Sequence, residues 1–136
     1  MYCEDLGFSI PNETILEIKF LKYEDFRSME FNDKKYTIVG GDDVGNLIGV
    51  DIDGKVWFLD TFDEFEMYTS KGLKTFVDQL ELYRDWNPLP LDASDEVNEE
   101  NARQFAREIA SLDKDALLYE ENFWSVVIEQ MEDGLL

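Results

Sequence analysis

The pattern of hydrophobic and polar positions shows three short, mainly apolar runs near the middle of the chain, at residues 36–39, 47–52 and 55–59. The runs are rich in β-branched and aromatic side chains, which is typical of β-strands. The last two are separated by Asp53-Gly54. An Asp-Gly pair favours a two-residue hairpin loop, because glycine readily adopts positive φ. The pattern therefore predicts a three-stranded antiparallel meander.

A two-residue loop at Asp53-Gly54 also predicts which residues face one another across the hairpin. Counting outward from that loop gives an apolar ladder on one face, formed by the pairs Ile52 with Lys55, Val50 with Trp57, and Ile48 with Leu59. Val56 and Phe58 are then expected on the opposite face. Because both faces carry apolar side chains, we expect helices to pack on the sheet.

Three later segments have the apolar spacing of amphipathic helices. The first begins after the candidate N-cap Ser70 and ends before Pro88. The second begins near the candidate cap Asn98, and the third covers residues 120–132 with Gly134 as a left-handed stop. The predicted core-facing stripes consist of Leu73, Phe76, Val77, Leu80 and Tyr83; Ala102, Phe105, Ala106, Ile109 and Leu112; and Phe123, Trp124, Val127, Ile128 and Met131.

A further strand is predicted over residues 62–68, and weaker strand signals occur within residues 15–21. The chain has 136 residues, of which 44% are hydrophobic, so it can bury one self-sufficient core. We therefore predict a single α+β domain over residues 1–136, in which a central, mainly antiparallel sheet is packed by about three helices.

Charge is the most unusual property of the composition. The 32 acidic and 12 basic side chains, with no histidine, give a formal net charge of −20. Such a surface repels nucleic-acid backbones and anionic membranes, so it favours either a cationic protein partner or simply high solubility. The single cysteine and the lack of a basic leader or a long apolar run are typical of a cytoplasmic protein.

The composition argues against catalysis. General acid–base and nucleophilic mechanisms most often use histidine, which the chain lacks. Cys3 lies near the end of the chain, where termini fray. Some close carboxylate pairs are inevitable among 32 acids and carry little information. We therefore expect no enzymatic activity and no cofactor.

Two loops match ligand-binding motifs only in part. Residues 40–45 are glycine-rich, but Asn46 stands where a phosphate-binding loop needs lysine. Residues 51–62 begin like a calcium-binding loop, yet Phe62 occupies the place of the final carboxylate ligand. We therefore expect no metal site. The sequence leaves open a weak magnesium or calcium site among Asp42, Asp43 and Asp53.

Candidate partner-binding residues are acids in two regions and one tryptophan. The acids are densest over residues 92–100. Trp86 lies at a predicted helix end, where it is either a core residue or an interface anchor, since tryptophan is enriched at interface hot spots. The predicted partner-binding residues are Asp42, Asp43, Trp86, Asp92, Asp95, Glu96, Glu99 and Glu100.

The order of several short motifs is informative. They are Leu6-Gly-Phe-Ser-Ile-Pro11, Gly41-Asp-Asp-Val-Gly45, Asp53-Gly-Lys-Val56 and the helix carrying Leu73, Phe76 and Leu80. Together they resemble the SUKH superfamily, which includes bacterial immunity proteins and a yeast regulator of cell-wall synthesis. Three further motifs resemble the bacterial immunity branch in particular: Leu112-Asp-Lys-Asp-Ala116, Phe123-Trp124 and Gly134-Leu135-Leu136. Residues 12–35 depart most from the family pattern.

The resemblance implies an α+β fold, no enzymatic activity, and protection of a bacterium by direct binding of a cognate polymorphic toxin. An acidic inhibitor would suit a cationic active cleft, such as that of a nuclease, because opposite charge speeds association. The alternatives are an acidic DNA mimic that blocks a nucleic-acid-binding enzyme, and a non-enzymatic intracellular scaffold.

Overall fold

A computed structural model describes residues 2–3, 6–86 and 94–135. The strands are β1 (Tyr2–Cys3), β2 (Phe8–Ser9), β3 (Lys19–Phe20), β4 (Arg27–Phe31), β5 (Lys34–Gly41), β6 (Leu47–Val50), β7 (Val56–Asp60) and β8 (Phe65–Ser70). The helices are α1 (Leu73–Asp85), α2 (Asp95–Leu112) and α3 (Phe123–Glu132), with a short 3₁₀ helix at Tyr23–Asp25. The predicted α+β class, with an antiparallel sheet and helices packed on it, is confirmed.

The main sheet is antiparallel and has the order β3-β5-β6-β7-β8, with β4 also paired to β5. β4 and β3 pair with successive parts of β5, while β1 and β2 form a separate two-stranded sheet. β5 and β8 are separated by two strands, yet the Tyr36 hydroxyl on β5 donates a hydrogen bond to Glu66 Oε1 on β8 at 3.3 Å. The sheet therefore curls, which brings side chains of β5 and β8 together across one face.

The two faces of the sheet are buried in different ways, one by the helices and the other mostly by side chains of the sheet itself. One face packs against the helices, where Ile48 and Val56 share a core cluster with Phe76, Phe105 and Trp124. The opposite face carries a smaller cluster of Tyr36, Ile38 and Leu59, which is covered by Leu21, Met29, Phe31, Leu47 and Trp57. Burial on both faces explains why the central strands are apolar throughout instead of strictly alternating.

The predicted register of the β6–β7 hairpin is wrong by one residue. The observed partners are Val50 with Val56, Gly49 with Trp57, Ile48 with Phe58, and Leu47 with Leu59. Ile48 and Phe58 therefore lie on the same face, and Ile52, expected in the ladder, is 86% exposed. A shift of one residue has this effect because side chains alternate between the two faces of a strand.

The carboxylate of Asp51 explains this register. Its Oδ1 accepts hydrogen bonds from the backbone N–H groups of Asp53 and Lys55, both at 2.9 Å. The Asp51 N–H donates to the Lys55 carbonyl at 2.9 Å, which leaves a three-residue loop. Within it only Gly54 has positive φ, at 87°, as expected for a type I turn followed by a left-handed residue. The predicted two-residue loop is therefore replaced by a longer one that an aspartate side chain organises.

We expect Gly54→Val to lower the free energy of unfolding by about 1–2 kcal/mol, because a β-branched residue is strained at positive φ. No atom lies within 4 Å of the place where a Cβ would be added, so the cost comes from the backbone and not from a clash. Chemical denaturation measures it. Gly54→Asn is the matched control and should cost less, since asparagine tolerates the left-handed region. Equal stability of the valine variant and the wild type would contradict this assignment.

The three helices are confirmed, and most residues of their predicted stripes are buried, although Leu73, Tyr83, Ala106 and Leu112 are only partly buried. The first residues predicted for the helices are wrong. Ser70 is not the N-cap of α1, because it is fully buried in β8, where it pairs with Val56, and Gly72 takes the N-cap position. Asn98 is not the cap of α2. Ser94 caps that helix by accepting a hydrogen bond from the Val97 N–H at 3.3 Å.

The other element ends also differ from prediction by a few residues. α3 begins at Phe123 and not at residue 120, with Asn122 before it. β8 begins at Phe65 and not at residue 62, because the Asp60 carboxylate accepts hydrogen bonds from two following backbone N–H groups and holds a turn. The predicted left-handed stop at Gly134 is confirmed, with φ at 72°. Among the described residues, no helix combines the length and apolar character needed to cross a membrane.

Candidate protein-binding surfaces

The predicted acidic residues of the second helix lie on an exposed part of α2. Asp95, Glu96, Glu99 and Glu100 are all exposed, and the first two occupy the first turn. Negative charge is favoured there by the helix dipole, so these acids have a structural role as well. Glu100 forms a 3.5 Å ion pair with Arg103 and accepts a hydrogen bond from Gln104. Asp92, predicted with them, lies outside the described residues.

Asp42 and Asp43 lie on the turn between β5 and β6 and differ in exposure. Asp42 is half-buried and accepts three hydrogen bonds, from the Val44 N–H and from the backbone and side-chain amides of Asn46, at 2.9–3.1 Å. Its carboxylate therefore holds the turn. Asp43 is exposed. The structure thus places these two acids on a different element from the α2 acids.

Trp86 is half-buried at the end of α1 and not a fully exposed anchor. Its indole N–H donates to Asn101 Oδ1 at 2.8 Å, and its ring meets Phe105 edge-to-face with centroids 5.2 Å apart. Both contacts are with α2, so Trp86 joins the two helices.

A second surface, not predicted from the sequence, is centred on Trp57 on the sheet face opposite the helices. Trp57 is half-buried and lines two grooves of about 370 and 430 Å³. We call this region the Trp57 surface and define it by Lys34, Ile52, Trp57, Glu66, Leu118 and Tyr119. Its members come from the β4–β5 hairpin, the β6–β7 hairpin, β8 and the segment between α2 and α3.

Hydrogen bonds hold the aromatic rings of this surface in place. The Trp57 indole N–H donates to Asp51 Oδ2 at 2.9 Å, and its ring meets Tyr68 edge-to-face with centroids 5.5 Å apart. The Tyr68 hydroxyl donates to Asp113 Oδ2 at 2.7 Å. Asp113 is buried and also accepts from the Lys71 N–H at 2.8 Å, so it connects β8 to the end of α2.

Two tyrosines beside Trp57 are held in their neutral form. Burial, followed by the charge of Glu66 and a 3.3 Å hydrogen bond to it, raises the pKa of Tyr36 to about 12. Burial and the hydrogen bond to Asp113 raise the pKa of Tyr68 as well. In the unfolded chain both hydroxyls ionise near pH 10. Their contribution to stability is therefore complete below about pH 10 and is lost as the pH rises through the folded-state pKa values.

We expect Tyr36→Phe to make the thermal midpoint less dependent on pH above about 10, because the variant lacks one group that must stay neutral in the fold. Midpoints measured between pH 8 and 12 test this. Absorbance titration of the tyrosinates gives an independent check, since the variant should lack one late-ionising tyrosine that the wild type has. The same slope above pH 10 in both proteins would contradict the assigned pKa of Tyr36.

The described residues contain no group of three or more metal-ligating side chains. Comparisons of the chain with protein-family models, curated proteins and solved structures gave no match. The resemblance to the SUKH superfamily therefore rests on the short motifs of the sequence, and the choice among functions depends on the charge and shape of the surfaces described above.

Proposed function

We propose that this protein is an immunity protein that binds a cognate toxin in the cytoplasm and neutralises it. The observation that carries this proposal is a net charge of −20 on a chain that folds around a well-packed core. A folded, highly acidic domain is suited to a cationic protein, because opposite charge accelerates encounter and disfavours other partners. The sequence motifs that resemble bacterial immunity proteins support the same choice.

The proposed mechanism is occlusion of a cationic active cleft, such as that of a nuclease. Residues 61–136 carry 19 acidic and 6 basic side chains, whereas residues 1–60 carry 13 and 6. The exposed acids of α2 lie in the more acidic part, so they would steer the toxin towards it. The domain itself acts by binding and not by catalysis, in keeping with its lack of histidine.

The arrangement of the acidic residues supports a DNA mimic less well than it supports an immunity protein. Duplex DNA carries one charge per about 1.7 Å of axis in two long rows. The α2 acids at positions 95–100 extend over only about 8 Å of helix, at about 1.5 Å per residue. A mimic would need such rows to continue along the molecule.

Co-expression with the toxin encoded by the neighbouring reading frame tests the proposal. Cells that produce the toxin alone should stop growing, and cells that also produce this protein should grow. The control is a co-expressed Trp124→Ala variant, which is expected to fold poorly and to protect less. Cell death in the presence of soluble, folded wild-type protein would rule the proposed function out.

A further inference from the structure

The Trp57 surface combines exposed apolar side chains with concave shape. Ile52, Leu118 and Tyr119 are 86%, 61% and 59% exposed and line the grooves beside the half-buried Trp57. Isolated exposed apolar residues are ordinary, but apolar side chains grouped around grooves are typical of interaction sites. Because hydrogen bonds hold the rings of Trp57 and Tyr68, this surface is already ordered before a partner arrives, which lowers the entropy cost of binding.

Carboxylates outnumber ammonium groups along these grooves. The acidic lining residues are Asp33, Asp51, Asp53, Glu66, Asp115 and Glu121, and the basic ones are Lys34, Lys35 and Lys55. Aromatic faces beside carboxylates form a favourable environment for a cation, because the ring quadrupole and the negative charge act in the same direction. The charge of the lining thus matches a basic side chain.

A cation of the chain itself already occupies this environment. Lys34 Nζ lies 5.8 Å from the centroid of the Trp57 ring and 3.8 Å from Glu66 Oε1. The Lys34 side chain is 62% exposed, so this ion pair is weak and open to replacement. An incoming guanidinium can stack on the indole and bind a carboxylate through two donors, which an ammonium cannot do.

We propose that the Trp57 surface anchors an arginine-bearing, partly apolar segment of the toxin. The inference rests on the proposed function and assigns different roles in toxin binding to α2 and to the Trp57 surface. The α2 acids steer encounter, and the Trp57 surface holds the complex together through short-range contacts. A second copy of this chain is a poorer occupant, because two proteins of net charge −20 repel each other.

The first experiment measures toxin binding by a Leu118→Ala/Tyr119→Ala double variant. Both side chains are mostly exposed, so the fold should be retained. Dissociation should be about 30-fold faster than for the wild type, as expected when hot-spot contacts are lost, with little change in the association rate. The matched control is Tyr23→Ala/Phe62→Ala, which removes two exposed apolar side chains outside α2 and the Trp57 surface and should change the dissociation rate less than about twofold.

The second experiment needs no toxin. A short peptide that alternates arginine with leucine is added to isotopically labelled protein, and the indole N–H resonances of the three tryptophans are followed. The Trp57 resonance, assigned with Trp57→Phe, should shift more than those of Trp86 and Trp124. The same peptide with citrulline in place of arginine keeps the shape without the charge and should have a much smaller effect.

The outcomes separate this inference from the proposed function. If the toxin binds the wild type and the Leu118→Ala/Tyr119→Ala variant equally well, the proposed function stands and the anchoring role of the Trp57 surface is wrong. If the toxin does not bind at all, the proposed function fails, and the peptide still tests the surface. A peptide-induced shift larger for Trp86, which contacts α2, than for Trp57, or a wild-type dimer that the double variant converts to monomer, would also overturn the inference.

Discussion

Trp124→Ala is expected to lower the free energy of unfolding by about 4–5 kcal/mol, a large share of the 5–15 kcal/mol typical of a domain. Trp124 is fully buried on α3, and its ring lies within 5.2–6.4 Å of the rings of Phe76, Phe105 and Phe123, measured between centroids. These rings come from all three helices. Removing the indole therefore leaves a cavity where α1, α2 and α3 meet.

The loss also includes a buried hydrogen bond. The Trp124 indole N–H donates to Gln79 Oε1 at 2.9 Å, and Gln79 is fully buried. Among the described residues, Gln79 Nε2 has no hydrogen-bond partner, so the variant leaves both ends of this amide unsatisfied. A buried polar group without a partner costs about 1–3 kcal/mol. Trp124→Phe, which keeps a ring but removes the donor, isolates this part of the effect.

Urea denaturation measures both variants, with Trp86→Ala as the control. Trp86 is only half-buried, so its truncation should cost less than that of Trp124. If Trp86→Ala is the more destabilising substitution, α3 is not at the centre of the helical layer and the packing described above is wrong.

The helical part of the fold follows from the sequence with little ambiguity. Each helix has an apolar stripe at helical spacing, and Phe76, Phe105 and Trp124, one from each stripe, are fully buried. A stripe of this kind can be recognised because neighbouring turns of one segment supply all its members. The ends of the helices depend on single caps, and several residues near each end can serve. This is why Ser94 takes the position predicted for Asn98.

The strand register could not be obtained from apolar alternation alone. The Asp53-Gly54 pair fits a two-residue and a three-residue loop equally well, and the Asp51 carboxylate decides between them through bonds to Asp53, Lys55 and Trp57. Propensity describes the turn residues themselves, whereas this selection depends on a side chain that precedes them. The error of one residue then reverses the predicted faces of Val56 and Phe58.

The candidate binding residues could be predicted from the sequence only where they lie close together in the chain. The acids of α2 lie within six residues of sequence, so their shared exposure could be expected. The Trp57 surface brings together Lys34, Glu66 and Tyr119, which are far apart in the chain. Lys34 and Glu66 meet because the sheet curls, and Tyr119 is added by the segment between α2 and α3. No periodicity within a single segment indicates such a group, and the sequence pattern accordingly placed Trp57 only in the apolar ladder of the hairpin.

The second large effect is expected from reversing the α2 acids to lysine. The variant carries Asp95→Lys, Glu96→Lys, Glu99→Lys and Glu100→Lys. It should associate with a cationic toxin about 100-fold more slowly at low ionic strength, because steering by charge contributes 10–1,000-fold to such rates. The difference should shrink as salt shortens the screening length from about 30 Å at 0.01 M to about 8 Å at 0.15 M. Dissociation should change less, since packed contacts govern it.

A control with the same change of net charge separates steering from general repulsion. It reverses four exposed acids elsewhere: Glu24, Asp25, Glu30 and Asp63. Stopped-flow association rates over a range of salt concentrations compare the two variants, after circular dichroism has shown both to be folded. Equal slowing by both variants would mean that net charge alone matters and that α2 has no special part in steering.

The most direct measurement is a titration of the purified toxin with this protein while the toxin's own activity is followed. If the protein is an immunity protein that occludes the active cleft, activity falls in proportion to the amount added and is abolished at equal molar amounts. Full toxin activity in the presence of an excess of folded wild-type protein would contradict that account.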